Sequence, residues 1–232
     1  NIGDAGINGK LSEVYVNRIL EIRPTFFVFE NVPGLLRTNK HRKFLITLLD
    51  KLSTSYIIDL KILNALDHGV PQDRERVFIV GFHKNWFRCN YPLSRYKKAL
   101  ADSKFYRQFE TKKVNAVLED CCHWFPWPLN RKYYDAKIRF SWPTETVRFG
   151  RVPVVPTNCP PELMVGTYLC DESRYELPNS REFFNPKSPK FHTTREGDVS
   201  KKSFKRLHRY RYSPAAAYGN NEVHLHPSLA RR

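Results

Sequence analysis

Phe26-Phe27-Val28-Phe29-Glu30-Asn31-Val32-Pro33-Gly34 is the stretch on which the reading of this chain turns. Four apolar residues in a row predict a strand covered on both faces. Glu30 falls where that strand should end, at the rim where open α/β sheets bind their ligands. Pro33-Gly34 supplies a turn immediately afterwards. A carboxylate in this position either serves a site or caps the next helix, and the stretch by itself leaves both open.

On the upstream side, Leu11 to Ile22 predicts a helix with Leu11, Tyr15, Ile19 and Ile22 on one face and Pro24 just past its end. Asn1 to Lys10 is glycine-containing, lacks an apolar period and reads as a mobile loop whose abrupt start suggests a missing upstream partner. On the downstream side, Thr38 to Ser53 predicts a helix capped by Thr38 or Asn39, with Phe44, Leu45, Leu48, Leu49 and Leu52 as its apolar stripe. Tyr56 to Leu63 and Val77 to Phe82 read as strands, joined by the polar segment Asn64 to Glu75, which carries Gly69 and Pro71. Strand, helix, strand, loop, strand is the second half of a doubly wound α/β sheet. Because no crossover helix separates the last two strands, they are expected to pair antiparallel.

From about Trp86 the pattern changes. Prolines become frequent, and Trp124-Phe125-Pro126-Trp127-Pro128 and Val152-Pro153-Val154-Val155-Pro156 cannot be helix interior. Pro178 to Pro189 is another irregular run. A second region of short strands and loops is therefore expected beyond residue 88. The charge follows the same division: of a formal +16, residues 1–88 carry +4 and residues 89–232 carry +12. A basic second region points to a polyanion, most often nucleic acid. Lys201, Lys202, Lys205, Arg206, Arg209 and Arg211, with Phe204, His208 and Tyr210 between them, form the densest basic run and are the predicted phosphate contacts. An ordinary solvated basic loop is the alternative.

The five cysteines, Cys89, Cys121, Cys122, Cys159 and Cys170, are odd in number and include an adjacent pair, which fits reduced thiols in the cytoplasm. Cys121-Cys122-His123 lacks the two-to-four-residue gap of zinc ligands, so no metal is expected. No apolar run approaches the roughly 20 residues of a membrane-spanning helix. The remaining motif is Gln72-Asp73-Arg74-Glu75-Arg76, set directly before a strand. In extended chain Arg74 and Arg76 lie on the same side. Paired guanidiniums can clamp a phosphate or a carboxylate, and one of them can reach Glu30 across neighbouring strand ends. The alternative is a solvated charged turn.

Taken in order, these stretches resemble the DNA cytosine-5 methyltransferases of bacterial restriction-modification systems. Phe29-Glu30-Asn31-Val32-Pro33-Gly34 is similar to the family's Glu-Asn-Val motif, and Gln72-Asp73-Arg74-Glu75-Arg76-Val77 to its Gln-x-Arg-x-Arg motif. Asn64 to Pro71 resembles the lead-in to that motif. Arg206-Leu207-His208, Ser213-Pro214-Ala215 and His224-Leu225-His226-Pro227 resemble the approach to the motif after the target-recognition domain. The order of the motifs, more than any single tripeptide, carries the resemblance.

The resemblance implies the second half of a Rossmann-like methyltransferase sheet followed by an irregular, β-rich target-recognition domain. Residues 1–88 would belong to the catalytic domain, 89–200 to target recognition and 201–232 to a return segment. It implies a flipped-out cytosine, with methyl transfer from S-adenosylmethionine to its C5. Glu30 would polarise the ring at N3 and the exocyclic amine, a role that calls for a raised pKa. Asn31 would orient the adjoining loops, and Arg74 and Arg76 would hold the flipped nucleotide and position Glu30. Gln72 joins the basic run as a DNA contact, and double-stranded DNA is the implied partner. The chain departs from the family in having no Pro-Cys-Gln nucleophile and no glycine-rich cofactor motif. It therefore resembles the middle of a methyltransferase, inactive alone, with a second chain or segment as a further implied partner. A non-catalytic DNA-recognition subunit and an RNA-modifying relative are the competing readings.

Overall fold

The computed structural model describes residues 7–169, 186–216 and 224–230. The opening six residues, Cys170, most of the Pro178 to Pro189 run and Arg231-Arg232 lie outside the described residues. The chain divides into two compact units, residues 1–63 with 75–128, and residues 64–74 with 129–232. No helix among the described residues is long and apolar enough to cross a membrane.

The first unit is built on a three-stranded sheet in the order β1-β4-β2, where β1 is Phe26–Asn31, β2 is Tyr56–Asn64 and β4 is Glu75–His83. The apolar run at 26–29 does form a strand, but only one of its faces is covered. Phe27 is buried whereas Phe26 and Val28 are half-exposed or more. The helices pack on one side of β1: α1 (Ile7–Ile22) and α3 (Asn39–Ser53) share a core with Phe27, Leu60, Val77 and Ile79. β1 pairs antiparallel with β4, Phe27 opposite Gly81 and Glu30 opposite Phe78. β2 is the other neighbour of β4.

The helix α3 starts one residue later than expected and buries Leu45, Ile46, Leu48, Leu49 and Leu52, with Phe44 only partly covered. The helix α1 already begins at Ile7, so residues 7–10 are helical rather than loop. Its buried face also differs from the expected one. Ser12, Val16 and Ile19 are buried, whereas Leu11, Tyr15 and Ile22 are exposed. Both sets fit a helical period of 3.6, and the contact with α3 selects one of them. Tyr15 instead lies over β1, its hydroxyl donating to the Val28 carbonyl at 2.7 Å and its ring 5.4 Å from that of Phe29.

The division at residue 88 does not match the compact units. After the four-residue helix α2 (Gly34–Arg37) and the long α3, the chain beyond β4 continues as helices α4 (Lys84–Asn90), α5 (Leu93–Asp102) and α6 (Val114–Asp120). Phe105, Tyr106, Phe109, Val114 and Val117 bury into the same core as α3. The apolar residues in 84–120 follow no single long period because several short helices with different faces replace one another.

The proline-rich stretch after α6 covers the edge of β2. Trp124 Nε1 donates to the Ile58 carbonyl at 2.8 Å and the Phe125 amide donates to Asp59 Oδ2 at 2.9 Å. An edge strand with unpaired main-chain groups invites association with other strands, and this strap occupies it.

The second unit is not β-rich among its described residues. Its strands are two residues long: β3 (Gln72–Asp73) pairs parallel with β6 (Ser213–Pro214), and β5 (Lys205–Arg206) with β7 (His224–Leu225). Its helices α7 (Ala136–Arg139), α8 (Gly166–Leu169) and α9 (Lys190–Thr193) have four residues each. The core of this unit gathers Leu66, Trp142, Cys159, Leu163, Met164 and Tyr212 from distant loops. Frequent prolines remove main-chain donors, so long ladders are not available and side chains hold the loops together.

Gly81 is required by close approach. A Cβ there would lie 2.2 Å from Cε1 of Phe27, whose ring is wedged edge-on against Tyr56 at 5.1 Å between centroids. The Gly81→Ala variant should lose about 1–3 kcal/mol through overpacking. A lower urea midpoint with an unchanged slope would show it, and an unchanged midpoint would refute it.

Candidate active site and nucleic-acid surface

The antiparallel register places the charged residues at the end of β1. Glu30 faces Phe78, so Arg76, two residues along β4, is the diagonal neighbour of Glu30 on the same face of the sheet. Arg76 Nε lies 2.7 Å from Glu30 Oε1. The arginine side chain is 17% exposed and the glutamate 46%, so the pair is half-wet. Such a pair contributes about 0–1 kcal/mol to stability, and its consequence is orientation of the carboxylate. The contact of Glu30 with Arg76 is made through Oε1, and Oε2 has no partner among the described residues.

A second ion pair fixes the turn that follows. The turn Val32-Pro33-Gly34 runs straight into α2, with the Leu35 amide donating to the Val32 carbonyl at 3.0 Å. The helix brings Arg37 back to Glu75, 2.7 Å away at the start of β4. Arg76 Nη1 also donates to the Glu75 carbonyl at 2.7 Å. Glu30–Arg76 and Arg37–Glu75 therefore join the end of β1 and the following helix to the start of β4 twice. Glu75 was not singled out from sequence, because its partner Arg37 is 38 residues away. Asn31 spends its Oδ1 on the next amide, Val32 N, at 2.8 Å, which shapes the turn locally.

Arg74 and Arg76 are not equivalent. The strand is interrupted at Arg74, whose amide donates to Asn64 Oδ1 at 3.0 Å and whose carbonyl accepts from the Ala65 amide at 3.0 Å. Its main chain closes the base of the 64–74 excursion, which belongs to the second unit. In that unit Gln72 sits opposite Ser213, its Nε2 donating to Ser213 Oγ at 3.5 Å. Ser213-Pro214 thus pairs directly with Gln72-Asp73.

The basic run separates into internal and external members. Arg206 is completely buried. Its guanidinium donates to the carbonyls of Thr194 (2.8 Å), Leu229 (3.0 Å), Phe191 and His226, and lies over the Phe149 ring. Burial pushes its pKa down to about 10, so it stays charged at neutral pH. The expectation that Arg206 grips a phosphate is corrected, since the side chain is fully buried and four of its five N–H donors are spent on main-chain oxygens inside the protein. Arg209 is likewise committed: its guanidinium forks onto both oxygens of Glu196 at 2.9 Å, and Glu196 is itself 1% exposed. Lys201 and Lys202 are exposed, Lys205 is half-buried, and Arg211 is half-buried beside Tyr212. Spacing in sequence could not separate these, because carbonyls that hold Arg206 come from residues up to 23 positions away.

Two thiols, Cys121 and Cys159, lie in settings that favour the protonated form. Cys159 is buried and donates to the Ser141 carbonyl at 3.2 Å, and burial pushes its pKa up. Cys121 is pushed up to about 11, first by burial and then by the charge of Asp59. His123 Nδ1 donates to Asp59 Oδ1 at 2.7 Å and Cys121 approaches His123 Nε2 at 3.5 Å. Asp59, missed from sequence, is 1% exposed and ties the strap to β2. A lone carboxylate in the apolar run Ile57-Ile58-Asp59-Leu60 was the available signal.

The family model for C-5 cytosine-specific DNA methylases matches residues 3–213. This chain belongs to that family. The chain is 43% identical over 235 residues to the Type II methyltransferase M.NmeDI of Neisseria meningitidis serogroup C, covering all of this chain and 48% of that protein. It is 41% identical over 106 residues to M.FnuDI of Fusobacterium nucleatum, covering 42% of this chain and 31% of that one. A crystal structure described as a DNA modification methyltransferase encoded within an E. coli prophage aligns with 95% of this chain and 60% of its own, at 15% identity and a TM-score of 0.40. The chain thus spans about half the length of M.NmeDI and less than a third of M.FnuDI.

Replacing Arg206 by Met should strand four buried carbonyl acceptors and destabilise the second unit by at least about 3 kcal/mol. Chemical denaturation followed by tryptophan fluorescence would measure the loss. If the variant folds normally and only DNA affinity falls, Arg206 is a phosphate contact after all.

Proposed function

We propose that this chain provides the base-polarising and DNA-reading parts of a cytosine-5 methyl transfer on duplex DNA. The observation that carries the reading is Glu30 at the carboxyl end of β1, oriented by Arg76 through one oxygen with the other left open. Addition of a thiolate to C6 of cytosine needs electron density drawn toward N3. A carboxyl group that shares a proton with N3 and accepts from the exocyclic amine does this, and Arg76 keeps it from rotating away. Asn31 shapes the adjoining turn, and Arg74, whose main chain closes the 64–74 excursion, would hold the flipped nucleotide.

Neither the nucleophile nor the methyl donor's cradle is supplied by the described residues. No Pro-Cys-Gln triplet occurs in the sequence. Cys121 and Cys159 are held protonated by their surroundings. The family's chemistry calls for S-adenosylmethionine, yet the first unit's cavity, about 350 Å³, is lined by residues such as Lys104, Phe105, Gln108 and Cys121 and by none from β1. The residues that line this cavity do not fit that cofactor. This favours a second reading, a DNA-recognition piece whose chemistry depends on other residues. Double-stranded DNA is the proposed partner in both, with Lys201, Lys202, Lys205 and Arg211 as phosphate contacts and Gln72 bracing the return segment. Action on duplex DNA would put such a protein in the bacterial cytoplasm, associated with the nucleoid.

Two outcomes test this reading. In a polypeptide that carries Glu30 together with a Pro-Cys-Gln nucleophile, Glu30→Gln should lower transfer of labelled methyl groups by more than tenfold, since general-acid help is worth about 10²–10⁴. Near wild-type turnover would remove the assigned role. Changing Lys201 and Lys202 to Gln should flatten the dependence of log affinity on log salt by about 0.9 for each phosphate no longer neutralised. An unchanged slope would make both lysines bystanders.

A further inference from the structure

The second unit contains a cavity of about 210 Å³, lined by Asp73, Lys137, Gly197, His208, Arg211 and Tyr212 among others. One of these residues has an unspent buried donor. His208 is 3% exposed, and its Nδ1 accepts from the Tyr210 amide at 3.1 Å. A ring nitrogen that accepts carries no proton, so in the neutral imidazole the proton sits on Nε2. That Nε2 is buried and has no hydrogen-bond partner. Buried polar atoms are satisfied in the large majority of cases, which makes this donor an exception that needs a cause. Gly197 lines the same cavity, and a Cβ on it would lie 3.1 Å from His208 Cδ2, so the ring packs closely against the cavity's lining.

The neighbouring groups set the chemistry of an occupant. Arg211 has five N–H donors and spends Nη1 on the Pro143 carbonyl at 3.2 Å and Nη2 on Tyr212 Oη at 3.3 Å, which leaves part of the fork available. The Asp73 carboxylate is already answered, Oδ1 by Asn64 Nδ2 at 2.8 Å and Oδ2 by Lys137 Nζ at 2.7 Å. Two cations against one anion line the space, with a neutral N–H donor beside them. Burial holds the His208 pKa below its ordinary value, so the ring donates one hydrogen bond without bringing a charge. The unmet requirement is for acceptor oxygens bearing negative charge.

We infer that this cavity is a subsite for a phosphate group, with His208 Nε2–H and the Arg211 guanidinium as its donors. The phosphate is either a backbone phosphodiester of bound DNA or a free phosphate. The first source rests on the DNA-binding function proposed above. The second does not. His208 was noted in the sequence only as a spacer between basic residues, and the subsite gives it a purpose that Arg206, buried and committed, does not have.

The test follows the ring directly in the unaltered chain. Long-range proton–nitrogen spectra of the protein labelled with ¹⁵N-histidine are recorded during titration with inorganic phosphate, and separately with a short duplex whose binding is scored by fluorescence anisotropy. The Nε2 signal of one histidine should move saturably with phosphate. His208→Gln assigns it, and contact with the Tyr210 amide assigns it if that variant does not fold. Arg211→Gln should weaken phosphate about tenfold, the loss of one charge-assisted hydrogen bond. If the bound duplex moves the same signal and displaces phosphate, the source is the DNA backbone. If phosphate moves the signal and the duplex does not bind at all, the subsite stands for free phosphate and the DNA-binding proposal fails. If the duplex binds but neither ligand moves the His208 signal, the subsite is refuted and the DNA-binding proposal survives.

Discussion

The register of β1 against β4 is the constraint on which the candidate site depends. With Glu30 opposite Phe78, Arg76 falls on the same face one diagonal step away, within reach of the carboxylate. Because side chains alternate along a strand, a slip of one residue would turn Arg76 to the opposite face and leave Glu30 unsupported. Phe27 lies opposite Gly81, the one residue on which its ring can rest without meeting a Cβ. An apolar contact at one end of the ladder thereby sets a polar contact at the other. The half-wet ion pair adds little to stability, so the packing fixes the geometry and the ion pair reads it out.

The second unit is organised differently. Its strands are too short to specify register over any distance, and buried polar groups perform that task. Arg206 gathers four carbonyls from two separate segments, and Glu196 holds Arg209 by a two-pronged contact while nearly free of solvent. A buried guanidinium is costly unless its donors are satisfied, and here main-chain oxygens satisfy them. This arrangement explains why a run of six basic residues presents fewer cations to solvent than its composition suggests.

Period and punctuation in the sequence were enough to locate β1, α3, β2 and β4, because each is a continuous apolar pattern whose meaning depends on near neighbours. The Glu30 and Arg76 pairing was also legible as a possibility, since both stand at predicted strand ends. Less was legible where two faces of one helix fit equally well, as in α1, or where short helices succeed one another, as in residues 84–120. In those segments the choice belongs to the surface against which the element packs. Asp59 illustrates the same limit, for a lone carboxylate in an apolar strand declares that it has a partner but not that the partner is His123.

By itself the sequence determined the order of the motifs, the α/β character of the first unit, the basic excess of the second and the family to which the chain belongs. These follow from residue types at short spacing, where local chain geometry dictates the outcome. Only the tertiary structure decided which basic side chains face inward, which face of β1 is covered, and that His208 keeps an unspent donor beside Arg211. Each of those facts depends on atoms brought together from distant parts of the chain, and burial, which sets the cost of an unpaired charge or donor, exists only after the chain has folded.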